Sequence, residues 1–110
     1  MHFPKLVSAV LIATTFSVTP VVAQESTTLK KIKDTGSITL GHRESSIPFS
    51  YYDDKQQVIG YSHELMLKVV DDIKTNLKLA KLDTRLMPVT SANRITLIQN
   101  GTVDIECGST

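Results

Sequence analysis

The chain has little with which to staple itself and no excess of charge of either sign. Its 110 residues contain one cysteine, Cys107, so no disulfide framework can form within the sequence as it stands. Twelve basic groups stand against 11 acidic ones, a balance that leaves no electrostatic footprint for nucleic acid or an anionic membrane. No repeat, low-complexity tract or linker composition breaks the chain. Nothing supplies metal-ligand spacing or a nucleophile–base pair, so neither a metal nor an organic cofactor is expected.

What is there begins with an export signal. Residues 1–23 carry a single Lys5, an apolar core over 6–13, and small residues Val21 and Ala23 placed for cleavage before Gln24. That core falls far short of the roughly 20 residues that span a bilayer, so it predicts a cleaved signal peptide and an exported chain. Gln24, not a cysteine, stands immediately after the cleavage point, so no lipid attachment is expected there. The signal takes 23 residues and one basic group with it, leaving 87 residues with 11 basic and 11 acidic groups. A domain of that size buries only about 60–65% of its chain surface. The sequence also stops just after a strand pattern, so residues 24–110 read as the front part of a larger protein. Cys107 would then pair beyond Thr110; a buried free thiol is the alternative.

The rest reads as α/β. Leu29 and Ile32, among Lys30, Lys31 and Lys33, predict a short amphipathic turn stopped by Gly36, its lysines a solvated face. Ile38-Thr39-Leu40-Gly41-His42 predicts a buried strand. Residues 49–52 and 57–60 flank turn-forming residues and predict a hairpin. Ser62 is placed to cap a long helix whose apolar face is Tyr61, Leu65, Val69 and Ile73, with Met66, Val70 and Leu77. Residues 84–89 alternate as a half-buried strand should. Thr90-Ser91-Ala92-Asn93 can start a helix, Ile95, Leu97 and Ile98 give it an apolar face, and Asn100-Gly101 stops it. Val103, Ile105 and Cys107 alternate with Asp104 and Glu106 in a last strand. The strand–helix–strand spacing predicts that the two final strands run parallel.

The functional signal lies beyond the strand ends, where ligands bind in open α/β sheets. His42-Arg43-Glu44-Ser45-Ser46 follows the first strand, Thr90, Ser91 and Arg94 the second, and Gly108-Ser109-Thr110 the third. Arg94 at a helix start is unfavourable by about 0.3–1 kcal/mol unless an anion sits there. Lying sideways into solvent is the alternative. Two planar guanidiniums on one rim suit two anionic oxygens, or two ends of one dianionic ligand, and the hydroxyls can donate or accept as required.

Four stretches then carry a resemblance. Gly41-His42-Arg43-Glu44-Ser45-Ser46-Ile47-Pro48-Phe49-Ser50-Tyr51-Tyr52-Asp53, Val58-Ile59-Gly60-Tyr61-Ser62, Thr90-Ser91-Ala92-Asn93-Arg94-Ile95 and the stretch from Gln99 to Thr110 closely resemble solute-binding protein family 3, the amino-acid receptors of ABC importers. Within it they resemble the glutamate/aspartate branch. Gly60-Tyr61 fits the family's glycine–aromatic–acid signature; Ser62 and His63 depart from it, in the manner of that branch.

The resemblance implies a two-lobed type II periplasmic-binding-protein fold, mainly parallel sheet with flanking helices, of which this chain supplies the first part of lobe one. It implies that Arg43, Ser91 and Arg94 hold the ligand's side-chain carboxylate. Ser109, with Thr110, would meet the backbone end of the amino acid, and a membrane ABC permease would be the partner. In relatives that bind cationic amino acids, an acid and a stacking aromatic tend to stand at the positions of Arg43 and Ser46; a cation and a hydroxyl invert that preference. Two other readings use the same fold. A periplasmic dehydratase or murein lyase would need Glu44, His42 or His63 as acid or base; of these, His63 reads as a surface residue and His42 as a strand end. A sensor input domain would be told apart by the sequence that follows.

Overall fold

The computed structural model describes residues 26–109 together with His2 and Ser17. Apart from those two positions, the expected signal peptide lies outside the described residues, as does Thr110. Among the described residues nine elements follow in order: α1 (Thr27–Thr35), β1 (Ser37–His42), β2 (Ser45–Ser46), β3 (Ser50–Tyr52), β4 (Val58–Ile59), α2 (Tyr61–Asn76), β5 (Asp83–Pro88), α3 (Arg94–Gln99) and β6 (Ile105–Glu106). Among the described residues no helix is long and apolar enough to cross a membrane.

Two small sheets form. One is parallel, with order β5-β1-β6; His42 stands opposite Pro88 and Gly41 opposite Glu106. The other is antiparallel, with order β2-β3-β4. Parallel pairing of the last two strands with the sheet is as the spacing requires, but they are not neighbours: the crossover through α3 passes over β1, which lies between them. The hairpin forms as expected, with β2 added to it. Two-residue strands such as β2 carry too little pattern to be seen in a sequence.

β1 is the central strand because it alone is covered along its length. Ile38 and Leu40 are buried and pack with Ile32 of α1 and Met66 and Val70 of α2. Ile73, Leu77 and Ile105 close around them. Gly41 is the one point in β1 where no side chain fits. A Cβ there would stand 3.0 Å from Val103 Cγ1, 3.1 Å from Glu106 Cγ and 3.2 Å from Val89 Cγ1, closer than well-packed carbons approach. Gly36 takes the left-handed conformation, φ 68°, that ends α1.

Several expectations are corrected. Ser62 does not cap α2: Gly60 holds the cap position before Tyr61, with no side-chain cap. Main-chain carbonyls take that role, Tyr61 N donating to Pro48 O (3.0 Å) and Ser62 N to Phe49 O (2.8 Å). The apolar face of α2 splits. Met66 and Val70 are buried, whereas Tyr61, Leu65 and Val69 are exposed, because the sheet behind the helix is narrow. His63, expected at the surface, is buried at 7% exposure. β5 is an outer strand, mostly exposed rather than half-buried, and β6 is shorter than the expected 103–107.

Lys31 is not simply solvated. Its ammonium lies 2.6 Å from Asp104 Oδ1 and donates to Gly101 O (2.7 Å). Asp104 in turn accepts from Thr39 N through Oδ2 (2.8 Å). The polar face of the last strand is therefore turned inward. Asp104 and Glu106 show side-chain exposures of only 3% and 11%.

Candidate functional site

The carboxyl ends of β5, β1 and β6 lie side by side, and their loops meet there. Arg43 follows His42 at the end of β1. Its Nη2 donates to Ser91 Oγ (2.9 Å) beyond β5, and its Nη1 to Ser109 O (3.0 Å) beyond β6. One guanidinium thus spans all three strand ends, which its planar fork allows.

Arg94 is the first residue of α3. The turn before it is self-bonded: Thr90 N donates to Asn93 Oδ1 (2.8 Å) and Asn93 N to Thr90 Oγ1 (3.2 Å). Asn93 occupies the cap position without capping, since its oxygen is taken by Thr90. This closed turn directs the Arg94 side chain back over the sheet instead of sideways into solvent. Its Nη1 donates to Gly108 O (3.3 Å) and lies 3.6 Å from Glu106 Oε2, with the guanidinium side chain 18% exposed. Among the described residues its remaining N–H groups have no protein acceptor, although a guanidinium carries five.

The structure therefore brings Arg43, Ser91, Arg94 and the Gly108–Ser109 turn together. At Ser109 it is the carbonyl that is engaged, leaving the hydroxyl without a protein partner among the described residues. Thr110 lies outside them. Glu106 is the residue that the sequence pattern hid, because alternation shows that it opposes Ile105 and Cys107 but not what covers it. It lies instead over Gly41 and Gly108; any side chain at Gly108 would collide with Glu106 Oε1. That buried oxygen has no hydrogen-bond partner. Ser50 is the second hidden residue: buried at 1% exposure, it holds the main chain of Arg43 at both its N–H and its C=O.

Neither histidine stands free at the rim. His42 is buried at 3% exposure, meets Tyr52 edge-on with centroids 5.5 Å apart, and places Nδ1 3.2 Å from Arg43 O. Burial pushes the His63 imidazole below its ordinary pKa; Glu64 opposes this and His42 adds to it. Glu44 is exposed. Among the described residues no group of His, Cys, Asp and Glu is arranged to hold a metal ion. Cys107 is half-buried and unpaired there. A cleft of about 300 Å³ adjoins the site, lined by Arg94, Ile95, Ile98, Gln99 and Glu106.

Comparison with known proteins agrees with this architecture. The chain is 59% identical over 109 residues to the L-glutamate/L-aspartate-binding protein of Pseudomonas aeruginosa, covering 97% of this chain and 36% of that one. It is 54% identical over 83 residues to the glutamate/aspartate import solute-binding protein of Escherichia coli, covering 76% of this chain and 28% of that one. The chain thus spans about a third of the length of these relatives. Among solved structures, an ancestral cationic amino acid solute-binding protein superposes with a TM-score of 0.62 at 23% identity, covering 76% of this chain and 33% of that one. That likeness gives the fold, a portion of one lobe of the type II periplasmic binding proteins. Residues 38–110 match the model of the bacterial extracellular solute-binding proteins, family 3, and the chain belongs to that family.

Proposed function

We propose that this chain forms the side-chain-carboxylate half of an amino-acid site in the periplasmic receptor of an ABC importer, and that its ligands are glutamate and aspartate. The observation that carries the reading is the convergence of two guanidiniums from separate elements. Arg94 is 18% exposed with most of its donors unused, and Arg43 braces Ser91 and Ser109 beside it. The unused donors of these guanidiniums are open to a ligand, and a charge-assisted contact to a carboxylate is worth about 1.5–3 kcal/mol. Arg43, Ser91 and Arg94 would hold the side-chain carboxylate, while Ser109 and Thr110 would meet the ammonium end. The names of the relatives support the same ligand class.

The protein would be exported through its 1–23 signal and would deliver its ligand to a membrane ABC permease. A binding role is favoured over catalysis because His42 and His63 are buried and Glu44 is exposed away from any hydrogen-bonded pair. The test is calorimetry on a full-length protein of the relatives' length. Glutamate and aspartate should bind about 10- to 100-fold more tightly than glutamine and asparagine, one charge-assisted contact being worth about 1.5–3 kcal/mol. Glutamine binding as tightly as glutamate would sink the reading.

A further inference from the structure

We infer that Ser50 is a positioning residue for the ligand: its hydroxyl sets the main chain of Arg43 and, through it, the direction of the guanidinium fork. The inference rests on the reading above, in which Arg43 meets the ligand's carboxylate.

The argument starts from an accounting of main-chain groups. The parallel ladder ends at His42, where Val89 N donates to His42 O (2.8 Å). Arg43 is the next residue, outside the ladder and half-buried at the end of the central strand, where its N–H and C=O need partners other than the neighbouring strands. Ser50 supplies both partners. Arg43 N donates to Ser50 Oγ (2.9 Å), and Ser50 Oγ donates to Arg43 O (3.1 Å). A single hydroxyl can do both at once, because it carries one donor and two acceptor lone pairs. His42 Nδ1 also lies 3.2 Å from Arg43 O, but it can donate only in one tautomer. The Ser50 bond has no such condition.

Ser50 is itself rigidly placed. It opens β3 opposite Ser46 and is 1% exposed. The residue before it, Phe49, donates to Ser46 O (2.7 Å) and accepts from Ser62 N at the start of α2. The hydroxyl therefore refers the Arg43 backbone to the antiparallel sheet and to the long helix, not to the ligand loops. This matters because the fork is at the end of a long lever. A tilt of roughly 10° at the Arg43 Cα moves it by about 1 Å, enough to spoil a bidentate contact. Ser91 and Ser109 steady the far end; Ser50 steadies the near end.

The experiment uses the full-length protein with Arg43→Ala, Ser50→Ala and the double variant, read by glutamate and glutamine calorimetry. Amide hydrogen exchange of the ligand-free forms is followed alongside. Arg43→Ala should weaken glutamate at least tenfold. Ser50→Ala should weaken it about threefold to tenfold and narrow the glutamate-to-glutamine ratio. The double variant should bind no worse than Arg43→Ala alone. In Ser50→Ala the Arg43 amide should exchange faster while Leu40, in the core of β1, is unchanged. Ser50→Ala with wild-type affinity and selectivity overturns the inference, as does a full extra loss when Ser50→Ala is added to Arg43→Ala. An Arg43→Ala protein that binds glutamate normally overturns the carboxylate reading itself, and this inference with it. Should Ser50→Ala fail to fold, Ser50→Cys, of similar size but with a much weaker donor and acceptor, carries the same expectations.

Discussion

Lys31 Nζ lies 2.6 Å from Asp104 Oδ1, tying the first helix to the residue that leads into β6. Oδ1 faces the ammonium, while Oδ2 accepts from Thr39 N. Asp104 is almost wholly buried and Lys31 is 44% exposed, so the two ends are not equivalent. Removing the lysine strands a charge in the interior.

Lys31→Ala in the full-length protein should therefore lower stability by about 1–2 kcal/mol, toward the low end for a charge left bare because water can reach the lysine side. Glutamate affinity should stay within twofold, since neither residue reaches the rim. Urea unfolding beside calorimetry checks both halves. An unchanged urea midpoint would show that Asp104 is satisfied by Thr39 alone.

Arg94 is expected to serve both binding and stability. Its position at a helix start gives the free protein nothing, but Glu106, with 11% of its side chain exposed, depends on it. Arg94→Ala should weaken glutamate at least tenfold and lower stability by about 1–3 kcal/mol, the cost of an uncompensated buried carboxylate. Adding Glu106→Gln should return most of that stability and none of the affinity. If the double variant is no more stable than Arg94→Ala, Glu106 is not the cause of the loss.

His63 predicts a pH dependence. Burial holds its folded-state pKa below the usual 6.5, so the unfolded chain takes up the proton more readily. Stability from this group rises with pH; it is lost as pH falls below about 6.5 and levels off under the folded-state pKa. Urea midpoints of the full-length protein at pH 7.5 and pH 5 should differ less in His63→Gln than in the parent. Parallel losses in the two proteins would remove His63 from the account.

Much of the candidate site's assembly was legible because it is local chemistry. Arg43, Ser91 and Arg94 stand in loops directly after strand patterns, and strand ends are where an open α/β sheet collects its ligands. The Gly36 and Gly101 helix stops were legible for a similar reason: a left-handed residue is a property of a few adjacent positions. Burial was less so. His63 and the Leu65–Val69 side of α2 exchanged their expected places, because helical periodicity reports a stripe but not the width of the sheet that covers it.

The sequence by itself determined the class of the fold, the parallel sense of the strands, the three loops and the cationic character of their rim. Those follow from period, turn chemistry and residue type, each read within a dozen positions. Only the tertiary structure decided that β1 lies between β5 and β6, that Asp104 and Glu106 face inward, and that Ser50 holds Arg43. Each is a contact between segments whose separation along the chain leaves no trace in a local pattern. An alternating strand shows that its two faces differ, while the elements that pack on each face decide which charges must find a partner.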